Sequence, residues 1–330
     1  MEYKFIGRTG VRVSTLCFGT MSFGGDADKE TSAALFHRCR EAGINFFDCA
    51  NTYQTGGAEE ILGELIADCR DEVILTSKVY FPMGKDINAR GASRRHIVAS
   101  VEASLKRLKT DRLDFYFIHR FDPHTPLEET LRALDDLVQW GKILYPAASN
   151  FAAWQVAKAL GISAGAGWPR FECLQPMYNL VKRQVEVEIL PMALYENLGV
   201  ITYSPLGGGL LSGKYGTSLR PSSGRLLENE RYRVRYADNQ VYEIAERFCN
   251  YALSHGFAPA SLAVAWVAGH PAVTAPIIGA RNLEQLEDSL KSLDIKLTPE
   301  MRAEISALSP EPPLATDREE ERILDSFRGR

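Results

Sequence analysis

Asn45-Phe46-Phe47-Asp48-Cys49-Ala50 is an apolar run that ends around an acid, with Tyr53 five positions beyond that acid. The pattern recurs twice downstream. Val73-Ile74-Leu75-Thr76-Ser77-Lys78 ends on a base, and Leu113-Asp114-Phe115-Tyr116-Phe117-Ile118-His119 ends on an imidazole. Short runs rich in β-branched and aromatic residues read as strands, and the stretch after each carries helical periodicity. Polar residues that punctuate the ends of successive strands point to one shared site at the C-terminal edge of a parallel sheet.

Working outward from these three strands, the same alternation fills the chain. Tyr3–Gly7 and Val11–Ser14 flank a Gly-Arg-Thr-Gly turn and read as a small hairpin. Leu16–Met21 is a first short strand before a helix over 29–42. The strand at 45–50 precedes a helix near 58–69, and the strand at 73–78 one over 94–109 with Ser93 as its N-cap. The strand at 113–119 precedes a helix over 127–140, with Thr125 and Pro126 as cap and first-turn proline. Strand 143–149 leads to helix 151–160, strand 171–175 to helix 183–197, and strand 200–204 to a long loop and helices over 239–255 and 261–267. Strand 275–279 leads to helix 283–290. Eight β-then-α units without a Pro/Ser-rich linker predict a closed (β/α)8 barrel and one domain over residues 1–330. An open doubly wound sheet would want a G-x-G-x-x-G turn after its first strand, where this chain has Gly19-Thr20-Met21.

The 330 residues are 45% hydrophobic and 24% charged, as in an ordinary globular protein. The net charge of -4 argues against bulk nucleic-acid binding, though not against a local basic pocket. No run approaches a membrane span and the start carries no apolar signal region, so a cytoplasmic location is expected. Six cysteines, none in a C-x-x-C pair, read as reduced thiols. Nothing in the sequence specifies an oligomeric state.

Two segments depart from the rhythm. Residues 206–236 are too long for a tight connection, and they carry Lys214, Arg220, Arg225, Arg231, Arg233 and Arg235 against Glu228 and Glu230. A basic flap over phosphates and a solvated surface loop both fit that composition. After Pro310, a Glu-Pro-Pro run precedes a charged tail, with a short helix expected within 317–330.

The four polar residues suggest a chemistry. Reducing a carbonyl takes a hydride and a proton, and a tyrosine supplies the proton if its pKa, ordinarily near ~10, is tuned. A neighbouring ammonium lowers that pKa, so Lys78 is expected to tune Tyr53, Asp48 to hold Lys78, and His119 to orient the carbonyl or assist proton transfer. A metal hydrolase would need clustered His and Asp ligands at strand ends, and His119 is the one histidine that stands at a strand end.

Taken with Gly19-Thr20-Met21, Asp48 to Tyr53, Ser77-Lys78, His119-Arg120-Phe121-Asp122, Ser149-Asn150-Phe151, Gln175-Pro176-Met177-Tyr178-Asn179, Tyr203-Ser204-Pro205-Leu206, Gly209 to Lys214 and Gly279-Ala280-Arg281-Asn282, the chain resembles the aldo-keto reductases. The resemblance is to the bacterial branch related to potassium-channel β-subunits. It implies a nicotinamide enzyme on a barrel, with a cofactor-covering loop after the seventh barrel strand and a small carbonyl compound as substrate. Tyr53 would be the general acid, with Asp48, Lys78 and His119 completing the catalytic set. Ser149, Asn150 and Gln175 would hold the carboxamide, and Tyr203 would stack on the ring. Ser204, Leu206 and Lys214 would line the pyrophosphate, and Gly19, Thr20, Met21, Asp48, Pro205, Gly209 and Leu211 would also belong to the cofactor site. Arg281 and Gln285 would face the adenosine end, Gly279 would also belong to the cofactor site, and Ser289 stands where the family often has an asparagine near the adenine. An arginine at 281 matches a 2′-phosphate, so NADPH is preferred over NADH. Pro146 stands inside a predicted strand and is expected to bend it. Tyr80, Phe81, Met83, Phe23, Arg120, Phe121, Phe151 and Trp154, together with Tyr53 and His119, are candidates for the substrate pocket. His119-Arg120-Phe121-Asp122 leans toward a sugar-derived carbonyl. The resemblance leaves two other roles open: a regulatory subunit that binds cofactor and turns over slowly, and the same chemistry run as an alcohol dehydrogenase.

Overall fold

Period-two alternation in eight short apolar runs produces two faces, and closing the runs into a cylinder buries both. The computed structural model describes residues 1–318 and 320–323. A two-stranded antiparallel hairpin, β1 (Tyr3–Phe5) and β2 (Arg12–Ser14), comes first. Eight parallel strands follow: β3 (Cys17–Gly19), β4 (Phe46–Asp48), β5 (Ile74–Val79), β6 (Leu113–Ile118), β7 (Ile143–Ser149), β8 (Cys173–Gln175), β9 (Gly199–Thr202) and β10 (Ala275–Ile278). They pair in sequence order, and β10 closes on β3 through Ile277 opposite Cys17. This is the expected (β/α)8 barrel.

The helices pack outside. They are α1 (Lys29–Glu41), α2 (Gly57–Leu65), α3 (Arg94–Leu108), α4 (Leu127–Gln139), α5 (Ala153–Ala166) and α6 (Ile189–Tyr195), then α7 (Arg225–Glu228), α8 (Glu230–Arg235), α9 (Gln240–Ser254), α10 (Pro259–Ala268), α11 (Leu283–Leu290), α12 (Pro299–Ala307) and α13 (Glu320–Ile323). Local chemistry sets their starts. Asp28 accepts from the amide of Thr31, Ser93 from His96 and Asn282 from Gln285, each satisfying an orphan donor of a first turn.

Two expectations are corrected. Pro126, not Thr125, stands at the N-cap of α4, because the Thr125 hydroxyl donates instead to Asp122 at 2.8 Å. The helix expected over 183–197 is a 3-10 turn at Gln184–Glu186 followed by the short α6. Pro146, expected to bend its strand, does not interrupt it: β7 runs for seven residues, with Pro146 opposite Tyr116 and its carbonyl accepting from Glu172. Of the tail helix expected within 317–330, α13 is seen, and residues 324–330 lie outside the described residues.

The barrel interior is a small cluster of its own: Cys17, Phe46, Phe115, Phe117, Ala147, Cys173, Ile201, Ala275 and Ile277, joined from below by Ile6 and Val13 of the hairpin. The larger core lies between strands and helices. The hairpin therefore plugs one end of the barrel. Five of the six cysteines are buried and all six are free. Among the described residues, no helix is long and apolar enough to cross a membrane.

Candidate active site

The interior cluster fixes which residues face the site, because side chains two apart on a strand share a face. Phe46 points inward, so Asp48 does. Phe115 and Phe117 point inward, so His119 does, and likewise Ala147 for Ser149, Cys173 for Gln175, and Ile201 for Tyr203. Continuing the same face past each strand's apolar layer brings these polar groups to the unplugged end of the barrel.

The innermost of them form a dry charge network. Lys78 is fully buried, and its ammonium donates to both Asp48 oxygens at 2.7 and 2.6 Å, to the Cys49 carbonyl at 2.6 Å and to the Tyr53 hydroxyl at 3.3 Å. Asp48 also accepts from the Thr76 hydroxyl and the Gln175 amide, each at 2.8 Å. These donors supply the hydrogen bonds that a buried carboxylate needs in place of water. Thr76 was missed in the sequence, although its spacing of two from Lys78 on one strand marks it as sharing the same face.

Tyr53 opens the 3-10 turn Tyr53–Gly56, in which Gln54 and Thr55 take left-handed conformations at φ 48° and 54°. Its ring meets His119 edge-on at 6.4 Å, and Phe81 meets His119 at 4.9 Å. The expected downward tuning of Tyr53 is corrected in sign. Burial raises its pKa to about 12, and the Lys78 ammonium offsets only part of that rise. Lys78 is held above its ordinary value: burial works against the ammonium, but the Asp48 charge, Tyr53, the hydrogen bond to Asp48 and Cys49 together outweigh it. His119 falls to about 3, through burial first and Lys78 second, so it is neutral at working pH. Its Nδ1 is buried with no hydrogen-bond partner among the described residues.

A second layer ties this core to the rim. Asn150, left-handed at φ 57°, donates to the His119 carbonyl at 3.0 Å and to the Ser149 hydroxyl at 2.9 Å, and accepts from Tyr203 at 2.8 Å. Ser149 in turn donates to the Gln175 carbonyl at 2.9 Å. Ser149, Asn150, Gln175 and Tyr203 are thus brought together. Gly19 pairs with Asp48 in register, and a side chain there would meet Ile277 at 2.7 Å.

The flap after β9 is ordered structure rather than bare loop: a 3-10 segment at Gly207–Ser212, then α7 and α8. Ser204, Gly207, Gly208 and Gly209 all have positive φ, and a Cβ on Gly208 would lie 2.7 Å from the Tyr232 ring of α8, so glycine lets the flap seat. Arg235 lies over the Tyr203 ring at 5.9 Å. Under the flap runs a cleft of ≈ 420 Å³ lined by Met21, Gly25, Asp26, Gln54, Arg225, Glu228, Asn229 and Arg281. Backbone amides in left-handed turns beside arginines make a fit place for phosphates. Gln285 supports this end by accepting from the Arg281 amide at 3.1 Å, while Lys214 and Gly279 are exposed. Asp26 was missed, and nothing in its sequence context marks it.

Several candidates turn away from the site. Leu211 is fully buried in the outer core. Ser289 is buried, and its hydroxyl donates to Gln285 on its own helix. The buried Thr20 hydroxyl donates to the Asp48 carbonyl at 3.0 Å, and Pro205 is buried. Phe23 is a core residue packed on Phe18. Phe151 is buried against Phe121 and Phe171, whereas Trp154 is 62% exposed beside Phe121 and Arg120 is exposed. Tyr80, Phe81 and Met83 are half-buried after β5, with Tyr80 edge-on to Phe81. Among the described residues no cluster of His, Cys, Asp and Glu could hold a metal ion.

Comparison with known proteins agrees with this geometry. The aldo/keto reductase family profile matches residues 15–310. The chain is 38% identical to an uncharacterized oxidoreductase, YrpG, of Bacillus subtilis, over 94% of this chain and 97% of that protein. It is 37% identical to a probable voltage-gated potassium channel subunit beta of Oryza sativa, over 96% and 99%. It is 32% identical to a versiconal hemiacetal acetate reductase of Aspergillus parasiticus, over 91% and 94%. A closed barrel with this inner charge network, matched by the profile over most of its length, places the chain in the aldo/keto reductase family, whose members are oxidoreductases that reduce carbonyl groups.

Proposed function

We propose that this protein reduces an aldehyde or ketone to an alcohol with NADPH, Tyr53 supplying the proton. The observation that carries this reading is the Lys78 ammonium, pinned by Asp48 and standing 3.3 Å from the Tyr53 hydroxyl. When bound, the nicotinamide supplies a hydride to the carbonyl carbon. Tyr53, whose pKa of about 12 keeps it protonated at working pH, gives its proton to the carbonyl oxygen. The phenolate left behind faces a permanent ammonium, so the charge that develops is met by one already in place. Neutral His119 orients the oxygen by a hydrogen bond without competing as an acid. The same groups run backwards for an alcohol.

The chain's residues fit the cofactor as a set. Ser149 and Asn150 offer polar groups to a carboxamide. Gln175 uses its N–H on Asp48, so its carbonyl oxygen is the part suited to a carboxamide donor. Tyr203 offers a ring face, and Arg281 with Gln285 suits the phosphorylated ribose. Phe81, edge-on to His119 with Tyr80 beside it, offers an apolar ring next to the site, and the exposed Arg120 suits a polyhydroxylated or anionic substrate, which supports the lean toward a sugar-derived carbonyl. A slow-turnover regulatory role draws support from the rice channel-subunit relative.

The test is a fluorescence titration with NADPH and NADH, then a carbonyl panel with the tighter cofactor. NADPH binding with turnover that falls about 10²–10⁴-fold in Tyr53→Phe, at unchanged cofactor affinity, is expected. Binding without turnover on any carbonyl would move the reading to a regulatory subunit, and binding of neither nucleotide would sink it.

A further inference from the structure

We propose that Asp26 sets the preference between phosphorylated and unphosphorylated dinucleotides, by occupying in the free protein the arginines that a 2′-phosphate needs. This rests on the dinucleotide reading above and deepens it. In the structure Arg281 Nε contacts Asp26 Oδ2 at 2.9 Å, and a terminal nitrogen of Arg225, on the flap, lies 3.7 Å from the same oxygen. One carboxylate thus bridges the end of the barrel and the flap at the mouth of the ≈ 420 Å³ cleft. The other acid lining that cleft, Glu228, accepts from the Gly224 amide at 3.1 Å within the flap itself.

Two physical effects follow. A planar guanidinium fork grips two oxygens of a phosphate best when its N–H pair is free, so a phosphate arriving at Arg281 competes with Asp26. Left in place, the carboxylate also repels a group carrying nearly two negative charges. A ribose without the phosphate meets neither penalty, and a carboxylate is a natural acceptor for its 2′-hydroxyl. The bridge is easily exchanged, because Asp26, Arg281 and Arg225 are 46%, 34% and 29% exposed and the pair is half in water. Asp26 therefore weakens binding of the phosphorylated cofactor selectively, while tethering the flap until it arrives.

The experiment compares wild type with Asp26→Asn, Asp26→Glu and the double variant Asp26→Asn/Arg281→Met, titrated with NADPH, NADH and 2′,5′-ADP. In Asp26→Asn, NADPH and 2′,5′-ADP should bind about three- to tenfold tighter, a modest gain expected of a half-exposed pair, with NADH unchanged or weaker. Asp26→Glu should keep wild-type selectivity, and the gain should vanish without Arg281. In the free protein, Asp26→Asn should also speed tryptic cleavage in the flap. If wild type binds NADPH and Asp26→Asn binds it equally or more weakly, the competition is wrong and the cofactor reading stands. If wild type binds no dinucleotide, both fall.

Discussion

Two ion pairs of the same type behave as opposites. Asp48–Lys78 sits inside the barrel at 3% and 0% exposure, and both partners carry further hydrogen bonds. Asp26–Arg281 sits at the rim at 46% and 34%. The Coulomb energy of a pair scales inversely with the local dielectric, so the inner pair is strong and cannot come apart without leaving a bare charge. The outer pair, shared with water, costs little to break. The inner pair suits a charge that must stay fixed through a reaction. The outer one suits a contact that must yield to an incoming anion.

The sharpest way to break the comparison is to remove one partner from each. Lys78→Met strands a buried Asp48 and should lower unfolding free energy by about 3–5 kcal/mol in chemical denaturation, with Asp48→Asn/Lys78→Met recovering part of the loss. Arg281→Met should leave the denaturation midpoint nearly unchanged and cut the NADPH-over-NADH affinity ratio about tenfold, equivalent to about 1.4 kcal/mol. Raising salt should shrink the Arg281 effect and leave the Lys78 effect intact.

A smaller effect sharpens it through pH. His119 titrates at about 3 in the fold against an ordinary 6.5, so below pH 6.5 the unfolded chain takes up a proton that the folded one refuses. Its contribution is complete above pH 6.5 and is lost as pH falls through that window toward 3. The melting temperature of His119→Asn should therefore drop less than that of wild type between pH 7 and 5. An equal drop would mean that His119 is not held neutral.

The barrel and its inner residues were legible because strand periodicity carries direction. Once Phe46 and Phe115 are read as inward, Asp48 and His119 must follow them. What the sequence did not carry was burial. Tyr53 was expected below its ordinary pKa because the Lys78 charge is visible in a sequence and desolvation is not. Phe23, Leu211 and Ser289 have the right residue types in the right segments, yet the backbone turns them inward. Asp26 was invisible because its partners lie about 200 and 255 residues away in a chain whose contacts only folding brings together.

The plug at the closed end has a consequence of timing. Gly7 packs on the backbone of Gly199, the Lys4 ammonium donates to the Val273 carbonyl, and β3 waits for β10. The hairpin therefore cannot complete its docking until residue 273 or so has been made, roughly 15–50 s after it at about 5–20 residues per second. For that interval Ile6 and Val13, fully buried in the finished barrel, and the unpaired edge of β3 stay an open apolar end for a chaperone to cover.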